Sequence, residues 1–516
     1  MTRTIGEISA GLEPARGGLP LAPGSRLHII GVGGTAALAA ALHAKALGLA
    51  VSGYDQALVE ETATLLAAAG IPIGSAESSE VLATCAALDG FSTVAVSKAI
   101  TSTQPNHPEV LKARDAGARA VSVQQVIADA AATRGGLLIG VAGTHGKTTS
   151  TGWVLDALVQ SGIDPSAFVG GPLPAALGTP SGSPVHLGRD AGFLVEADEY
   201  GGNFDTYLAD RALILNVDWD HPDIFADRHA AVDTFARWAE HPARSGLLFI
   251  NGGDQGGAEL AARMVARDLP HVFTFATSDS ANAPNVDVLA QVSARGGGAY
   301  SITLSHLSDR AAAAAAPGLR GLLHRELPIG LLGAHNASNA LGVAALAASV
   351  GGSADGIARS LATFAGVGRR MQVRYDDGSI VVLDDYGHHP TAIDATIATI
   401  RDRYPDRTLL LAIEPLTYHR TAALLDGLAQ SCSAADRVVV AEIFAVRDLD
   451  TTSVSAADLA NRIAALGTPA TAPGTVLETA TALLRSITPG TVVLVMGGGR
   501  STEIATALAR GLSPAS

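Results

Sequence analysis

An apolar run at residues 137–139 leads directly into a glycine-rich turn ending in Gly-Lys-Thr, and this segment constrains the fold most strongly. A strand, a glycine turn and a helix start in this order predict a phosphate-binding loop, because the N–H groups of the turn and the helix N-terminus attract phosphate oxygens. Lys147 is expected to reach the terminal phosphates, and Thr148 to bind Mg²⁺. The alternative is an ordinary strand–turn–helix junction. The predicted nucleotide-binding residues of the loop are Gly143, Thr144, His145, Gly146, Lys147, Thr148 and Thr149.

The composition indicates an ordered, multidomain α/β protein. With 516 residues the chain is too long for a single hydrophobic core, so two to four domains are expected. Hydrophobic residues make up 47% and charged residues 16%, which argues against disorder. A formal net charge of -14 argues against general binding to nucleic acid or to an anionic membrane. Cys85 and Cys432 form no C-x-x-C pair, which argues against a zinc site or a disulfide framework.

The sequence shows no sign of export or membrane insertion. No apolar run reaches the roughly 18–20 residues of a membrane span. Residues 1–24 lack the basic and apolar regions of a signal peptide. A cytoplasmic location is therefore the default expectation.

A second glycine turn, Gly31-Val32-Gly33-Gly34, follows an apolar run at residues 27–30 and precedes an Ala- and Leu-rich helical stretch. Asp55 ends a short strand about 20 positions further on, which is the layout of a dinucleotide-type βαβ unit. Alanine replaces the third glycine of G-x-G-x-x-G. The alternative is therefore a turn that only packs a helix on a sheet.

Two polar clusters follow predicted strands at residues 192–195 and 212–215. Because parallel strands carry ligand sites at their carboxyl ends, both clusters are expected to face the phosphate loop. Glu196 is the expected second Mg²⁺ ligand, with Asp198 or Glu199 able to take the same role. His221 could be a metal ligand or an orienting donor. The alternatives are solvated strand ends and an unremarkable loop histidine.

A helix is predicted to start near residues 333–339, with Asn336 or Ser338 as a possible N-cap. The Asn339 amide could read an adenine edge, since an amide offers a donor and an acceptor side by side. Capping alone would explain at least one of these residues.

From residue 369 onward, strands and helices alternate, which predicts another parallel sheet. Arg369 and Arg370 could pair with nucleotide phosphates or could be a surface pair. Residues 384–391 carry two aspartates, a tyrosine and two histidines at a strand end, more functional groups than a plain turn requires. This density predicts a site.

Taken in order, these motifs resemble the Mur ligases of peptidoglycan precursor synthesis. The motifs are Gly-Thr-His-Gly-Lys-Thr-Thr, Glu-Ala-Asp-Glu, Asp-His, His-Asn-x-x-Asn, Gly-x-x-Arg-Arg and Asp-Asp-Tyr-Gly-His-His-Pro-Thr. The resemblance implies an α/β fold of three domains with parallel or mostly parallel sheets. These are a Rossmann-like UDP-sugar domain at 1–134, a central P-loop ATPase domain at 135–366, and a Rossmann-like amino-acid domain at 367–516.

The resemblance is greatest to the branch of the family that joins L-alanine to UDP-N-acetylmuramate with ATP and Mg²⁺. It implies that ATP phosphorylates the sugar's lactyl carboxylate and that the amine attacks the acyl phosphate. The implied catalytic residues are Lys147, Glu196, His221 and Arg370, with Thr148, Glu196 and His221 at the metal ions. Asn339, Arg370 and Asp385 are implied to contact ATP, Asp385 serving the nucleotide or the domain hinge. The implied substrate contacts are Gly31, Gly33, Gly34, Asp55, His388 and Arg420.

The chain departs from that branch where the amine is expected to bind. The usual Gln-Pro-His-Arg-Tyr-x-Arg-Thr reads Glu-Pro-Leu-Thr-Tyr-His-Arg-Thr at residues 414–421, so Leu416 and Thr417 replace a histidine and an arginine. Glu414-Pro415 and residues 220–225 resemble the murein-peptide ligases of cell-wall recycling, which join a tripeptide to the same sugar nucleotide. A ligase for another acid or amine is the further alternative.

Two other classes of function are also considered. One is a non-catalytic nucleotide-binding module, and the other is a P-loop kinase. Lys147, Glu196 and His221 together argue against the module, and residues 384–391 argue against the kinase. The expected oligomeric state is monomer or homodimer.

Overall fold

The computed structural model describes residues 2–513 except 57, 75–92, 116, 281–284, 315, 446, 447 and 449. Within these residues the chain forms three α/β domains, each with its own sheet. The predicted α/β fold with mostly parallel sheets is confirmed. Cys432 is buried as a free thiol, whereas Cys85 lies outside the described residues.

The N-terminal domain has a sheet whose described neighbours are all parallel. Its strands in spatial order are Ile73–Gly74, Ala50–Tyr54, Arg26–Ile30, Thr93–Val96 and Arg119–Ser122. Its helices are Ile5–Ile8, Thr35–Ala46, Glu60–Ala68, Lys98–Thr103, Pro108–Asp115 and Val123–Arg134. After strand Ile73–Gly74 the chain crosses to the other side of strand Arg26–Ile30, where strand Thr93–Val96 pairs with it. The glycine turn at residues 31–34 therefore lies at a topological switch point, where open α/β sheets bind ligands.

The central domain has a ten-stranded sheet. In spatial order its strands are Glu326–Pro328, Ala299–Leu307, Val288–Gly296, Val272–Thr277, Leu247–Asn251, Arg211–Ile214, Leu138–Ala142, Phe193–Ala197, Ser166–Phe168 and Val185–His186. The middle strands are parallel, and both edges end in antiparallel pairs. The helices are Lys147–Gln160, Arg228–Ser245, Gln255–Ala266, Asp309–Ala314, Ala316–Arg320, His335–Ser349 and Ala354–Thr363, with 3₁₀ turns at Ala175–Leu177 and Tyr200–Thr206.

The C-terminal domain has a six-stranded sheet. Its strands in spatial order are Gln372–Asp376, Val381–Asp385, Thr491–Gly497, Thr408–Glu414, Arg437–Ala441 and Ala470–Gly474. The first of these is antiparallel to its neighbour and the others are parallel. The helices are Pro390–Arg403, Tyr418–Ala423, Leu425–Cys432, Ala456–Ala465, Val476–Leu484 and Ser501–Leu512.

The N-terminal and central domains share one apolar core, whereas the C-terminal sheet has cores of its own on its two faces. At the shared core, the buried His43 ring lies 4.7 Å from the Phe193 ring and its Nε2 lies 3.1 Å from the Ala167 carbonyl oxygen. Burial lowers the pKa of His43 to about 4, so this ring is neutral. We therefore expect the first two domains to move together as one body and the third domain to move relative to them.

None of the helices in the described part of the chain combines the length and the apolar character that crossing a bilayer would demand.

The core of the central sheet gives a test of the fold. Phe249 is fully buried and packs with its ring centre 5.6 Å from that of Phe273. Phe249→Ala should lower the free energy of unfolding by about 3–5 kcal/mol, through lost burial and a residual cavity. Val265 is 65% exposed on a neighbouring helix, so Val265→Ala should change it by less than about 0.5 kcal/mol. Urea unfolding followed by circular dichroism measures both. Equal effects would contradict this packing.

Candidate active site

The predicted phosphate loop connects strand Leu138–Ala142 to helix Lys147–Gln160. Gly143 and Gly146 have φ angles of 144° and 81°, which non-glycine residues rarely adopt. Strands Phe193–Ala197 and Arg211–Ile214 lie parallel on either side. The carboxyl ends of three strands therefore meet at one edge, and the predicted polar clusters lie against the loop.

Lys147 forms the centre of this edge. Its Nζ donates to Glu199 Oε2 at 2.8 Å and to the Gly143 carbonyl oxygen at 2.7 Å, and it lies 3.6 Å from Asp198 Oδ1. Burial alone would lower the pKa of Lys147, but the acidic neighbours, Glu199 first, outweigh it and raise this pKa. The loop therefore carries a fixed positive charge.

Glu196 lies beside the start of the loop helix. One carboxylate oxygen accepts from Thr148 Oγ1 at 3.0 Å, and the other accepts from the Gly170 N–H at 2.6 Å. Burial raises the pKa of Glu196, against the opposing effect of Lys147. A side chain at position 170 would collide with this carboxylate, since a Cβ there would lie 2.5 Å from Oε1. The Thr148 hydroxyl and the Glu196 carboxylate thus form a preset pair of oxygen donors.

His221 lies on the far side of Glu199. Its Nε2 is 4.0 Å from Glu199 Oε1, and its Nδ1 is 3.3 Å from Arg420 Nη2 of the C-terminal domain. The potential ligand atoms of Asp198, Glu199 and His221 all lie within 4.8 Å of one another. Burial raises the pKa of Glu199 to about 7, with Lys147 opposing the shift. The sequence predicts Glu199 only as a substitute for Glu196, whereas in the structure Glu196 binds Thr148 and Glu199 binds Lys147.

Thr144 and His145 fasten the loop to its neighbours. The His145 N–H donates to Asn216 Oδ1 at 2.8 Å, and His145 Nε2 lies 3.4 Å from Asp218 Oδ2. Thr144 Oγ1 accepts from the Asp218 N–H at 2.9 Å. Asp218 Oδ2, which lies near His145, also accepts from Thr391 Oγ1 of the C-terminal domain at 2.9 Å. These hydrogen bonds from His145 and Thr391 overcome the effect of burial and lower the pKa of Asp218.

The predicted caps of helix His335–Ser349 are wrong. The helix begins after Ala334, with no side chain capping it. Asn336 instead donates from Nδ2 to the Leu332 carbonyl oxygen at 2.7 Å, and Ser338 Oγ accepts from Asn251. Asn339 is buried against the loop, and its Nδ2 would lie 3.3 Å from a Cβ at Gly146.

Arg369 and Arg370 have different surroundings although both guanidinium carbons lie 5.1 Å from the Tyr386 ring centre. Arg369 donates to the Gly497 carbonyl oxygen at 2.9 Å and to Ser501 Oγ at 3.0 Å. It is therefore held within the C-terminal domain. Arg370 is the member of the pair whose charge acts on His335 and His388.

Asp385 binds backbone in this structure. Its two carboxylate oxygens accept from the Met371 N–H at 2.9 Å and from the Gly387 N–H at 2.7 Å. Arg369 and Met371 have φ angles of 58° and 50°, a strained region for such residues. Asp385 therefore stabilises the segment that joins the last two domains.

His388 and Arg420 face the central domain. His388 Nδ1 donates to the Tyr386 carbonyl oxygen at 3.0 Å, and burial together with the charge of Arg420 lowers its pKa. Arg420 is buried and lies 2.5 Å from Asp220 Oδ1. In this conformation Arg420 holds the loop of His221.

The two replaced residues after Glu414 lie in an unusual turn. Thr417 has a φ of 61°, and its N–H donates to the Phe444 carbonyl oxygen at 3.0 Å. Leu416 Cδ2 would lie 3.1 Å from a Cβ at Gly498. Glu414 accepts from the N–H groups of Arg500 and Ser501 at 3.0 and 2.8 Å. It therefore caps the last helix.

His419 adds a further contact between domains. Its Nε2 lies 3.2 Å from Asp223 Oδ1 of the central domain and its Nδ1 lies 2.5 Å from Asp448 Oδ1. Burial alone would lower the pKa of His419, but the two carboxylates outweigh it and raise this pKa.

The N-terminal turn has its own internal support. The Gly33 N–H donates to Asp55 Oδ2 at 2.8 Å, and the Gly31 N–H donates to the Tyr54 carbonyl oxygen at 2.7 Å. Gly34 precedes helix Thr35–Ala46. The four predicted residues therefore form one turn at the switch point.

Lys98 is a buried charged residue that no sequence motif pointed to. Its Nζ is buried between the first two domains and donates to the Gly201 carbonyl oxygen at 2.8 Å. Burial lowers the pKa of Lys98 to about 8, opposed by Asp205 and Asp198. A lysine at the carboxyl end of strand Thr93–Val96 was the available signal.

Comparison with known proteins assigns the family. Residues 26–134 match the Mur ligase family catalytic domain, 141–347 the Mur ligase middle domain, and 369–499 the Mur ligase glutamate ligase domain. The UDP-N-acetylmuramate–L-alanine ligase of Desulfitobacterium hafniense is 32% identical over 396 residues, which are 76% of this chain and 81% of that protein. The chain belongs to the Mur ligase family. It is therefore an ATP-dependent, ADP-forming ligase.

Two solved structures of Mur ligases share the fold. The UDP-N-acetylmuramate–alanine ligase of Thermotoga maritima aligns with a TM-score of 0.72 at 22% identity, over 94% of this chain and 98% of that chain. A murein peptide ligase from Psychrobacter arcticus aligns with a TM-score of 0.66 at 24% identity, over 96% and 100%. At these identities the likeness supports the three-domain architecture and nothing finer.

Removing the Lys147 charge should expose the cost of burying Glu199. Lys147→Met should lower the free energy of unfolding by about 3–5 kcal/mol, because it breaks a buried ion pair. The loss should be larger at pH 8 than at pH 6. Without Lys147 the folded pKa of Glu199 rises further, so stability is full only below the unfolded pKa of Glu199 and is lost as pH rises from there through the folded pKa. Urea unfolding at the two pH values measures this.

A double-mutant cycle controls that test. Adding Glu199→Gln to Lys147→Met should recover part of the lost stability. Lys45, which makes only an exposed contact with the Gly70 carbonyl oxygen, gives the matched control Lys45→Met. Strictly additive effects of the two site substitutions would contradict the pairing.

The His419 contact predicts a titration that can be observed directly. A histidine Cε1–H resonance assigned through His419→Gln should titrate above the ordinary value of about 6.5. Asp448→Asn should lower that pKa. Because the folded pKa is raised, the contact stabilises the domain interface fully below about pH 6.5 and less as pH rises through the folded pKa. Titration at or below the ordinary value would refute the ion pair.

Proposed function

We propose that this Mur ligase joins L-alanine to UDP-N-acetylmuramate, using ATP and Mg²⁺ and forming an acyl phosphate, as a step of peptidoglycan precursor synthesis. The observation that carries the proposal is the edge where Lys147, Glu196 and Glu199 meet the loop of His221. Curated relatives named for that reaction add support. ATP and a UDP-sugar are cytoplasmic metabolites, so we place the reaction in the cytoplasm.

The donor atoms present fit Mg²⁺. Thr148 Oγ1 and Glu196 Oε1 are hard oxygen donors 3.0 Å apart beside the phosphate loop, which is where a nucleotide-bound Mg²⁺ needs them. Asp198, Glu199 and His221 would hold a second ion. Ligation through His221 Nε2 requires the ring proton at Nδ1, so Arg420 would have to leave Nδ1 first. Bound Mg²⁺ would offset the repulsion between ATP and the substrate carboxylate.

The chain's own residues account for the first chemical step. The sugar nucleotide binds at the turn of Gly31, Gly33, Gly34 and Asp55, and ATP binds on the loop from Gly143 to Thr149, with Asn339 beside the adenine. Lys147 stabilises charge on the transferred phosphoryl group, because its ammonium is fixed in a water-poor site. The substrate carboxylate oxygen attacks the γ-phosphorus and ADP leaves.

The second step belongs to the C-terminal domain. Arg370 approaches the phosphates when that domain closes, while Arg420 and His388 lie where the amino acid would bind. The amine attacks the acyl carbon, phosphate leaves with one carboxylate oxygen, and the amide forms. Closure excludes water, which would otherwise hydrolyse the acyl phosphate. We place the domain borders at 134/135 and 366/367.

A second candidate is addition of a peptide in place of alanine. Leu416 and Thr417 at the amine side favour it, because an aliphatic side chain and a hydroxyl replace a histidine and an arginine. Leu416 lies against Gly498, where it adds an aliphatic side chain beside His388 and Tyr386. Measuring phosphate release with L-alanine and with the peptide decides between the two candidates.

Phosphate release should require both substrates. With Mg-ATP and UDP-N-acetylmuramate, purified protein should release phosphate only when L-alanine is added. Lys147→Ala should reduce the rate at least about 1,000-fold, since it removes the cation that stabilises transferred charge. Lys45→Ala is the matched control and should retain full activity.

Other amines give the contrary outcomes. Release with L-Ala-γ-D-Glu-meso-diaminopimelate but not with L-alanine would replace the first candidate by the second. Release that ignores every amine would overturn the ligase proposal for both substrates.

A further inference from the structure

Residues 2–25, here called the N-terminal arm, precede the first strand and lie outside the three family domains, which begin at residue 26. The arm is held along the N-terminal domain. Arg16 donates to both carboxylate oxygens of Asp129 at 2.7 and 2.9 Å, and the Glu13 N–H donates to the Ala120 carbonyl oxygen at 2.7 Å. The arm is therefore an ordered part of the fold.

The first residues of the arm cross to the central domain. Helix Ile5–Ile8 begins with a capping box of Thr4 and Glu7. Ile8 is fully buried, and its Cγ2 would lie 2.9 Å from a Cβ at Gly201, so only glycine allows this approach. The Ile8 carbonyl oxygen accepts from Thr101 Oγ1 at 2.5 Å. The helix thus sits between the two domains, beside the turn that follows Glu199.

Arg3 reaches the loop of His221. Its Nη2 donates to Asp223 Oδ2 at 2.6 Å and lies 3.2 Å from the Tyr200 hydroxyl. Its backbone N–H donates to the Asp223 carbonyl oxygen at 2.6 Å, and its Nη1 donates to the Ser102 carbonyl oxygen at 3.2 Å. The Arg3 side chain therefore joins the N-terminal domain to the central domain beside the loop of His221.

Both partners of Arg3 lie close to His221, Tyr200 in space and Asp223 along the chain. The Tyr200 ring lies edge-on to the His221 ring at 5.0 Å, and Asp223 follows His221 by two residues. His221 has a φ of 55°, which costs a non-glycine residue about 1–2 kcal/mol. Because the backbone is strained, the loop needs restraint from outside it. Asp223 is buried, so its charge-assisted bond to Arg3 is stronger than a surface pair.

We propose that Arg3 is a positioning residue that holds His221 at the second cation site, which makes the N-terminal arm a working part of the enzyme. This rests on the proposed function, since that function assigns a cation to His221. Arg3 acts through Asp223 and Tyr200, and removing it should let the His221 loop relax from its strained conformation.

The test uses full-length protein with any tag at the C-terminus. Arg3→Ala, Arg3→Lys and Arg119→Ala are compared with the wild type. Arg119 pairs with Glu13 of the same arm at 2.7 Å, but its side chain is half exposed and, within the described part of the chain, its hydrogen bonds go to Glu13. Hydrogen–deuterium exchange of residues 217–227 in ligand-free protein and the Mg²⁺ dependence of kcat are measured.

Arg3→Ala should speed amide exchange in the loop roughly 10-fold or more, because it removes a charge-assisted hydrogen bond to Asp223. It should also raise the Mg²⁺ concentration for half-maximal kcat, with the KM for ATP unchanged. Arg3→Lys should recover part of both effects, and Arg119→Ala should match the wild type. Unchanged exchange and Mg²⁺ dependence in Arg3→Ala would overturn the proposal, as would equal effects of Arg119→Ala.

The two proposals fail in different ways. A wild type that forms no amide would defeat the proposed function, whereas the exchange rates would still report whether Arg3 holds the loop. If the wild type is active and Arg3→Ala changes neither the exchange of the loop nor the Mg²⁺ dependence of kcat, only the proposal about the arm is defeated.

Discussion

The buried ion pair of Lys147 and Glu199 is the interaction on which the rest of the site depends. The ammonium of Lys147 and the carboxylates of Glu196 and Glu199 lie at the meeting point of three parallel strands. Burial strengthens the electrostatic interactions among them. Because Glu199 accepts from the Lys147 ammonium, Glu196 can accept from the Thr148 hydroxyl instead. ATP would have to compete for Lys147, so phosphate binding and rearrangement of Glu199 are coupled.

The polar character of the last domain interface suits that rearrangement. The first two domains share an apolar core. The third meets the second through Thr391, His419 and Arg420 on acidic partners, together with Trp219, which packs against the core of the third domain. Hydrogen bonds and ion pairs of this kind can be replaced by bonds to water or substrate when the domains separate, whereas exposure of an apolar core has no such compensation. The Mur ligase cycle requires such opening, because three substrates must enter and water must be excluded during the reaction.

Much of this arrangement could be predicted from the sequence. The phosphate loop, the carboxylates after two strands and residues 384–391 follow from local rules on glycine turns and parallel strands. The caps at Asn336 and Ser338 were wrong because the helix begins earlier, after Ala334, which leaves both residues inside it. Asn336 bonds back to the Leu332 carbonyl oxygen four residues earlier, and Ser338 accepts from the distant Asn251. Lys98 and Arg3 escaped detection because their roles depend on contacts with Gly201 and Asp223, more than 100 residues away. No local pattern encodes contacts of that range.

The most direct test of the central claim is to follow oxygen from the substrate acid. UDP-N-acetylmuramate labelled with ¹⁸O in both lactyl carboxylate oxygens is turned over with ATP and L-alanine, and the released phosphate is analysed by mass spectrometry. Attack of the carboxylate on the γ-phosphorus predicts one ¹⁸O in each phosphate. Phosphate without ¹⁸O, at a rate equal to ADP formation, would mean that water receives the phosphoryl group, and the acyl-phosphate account would be refuted.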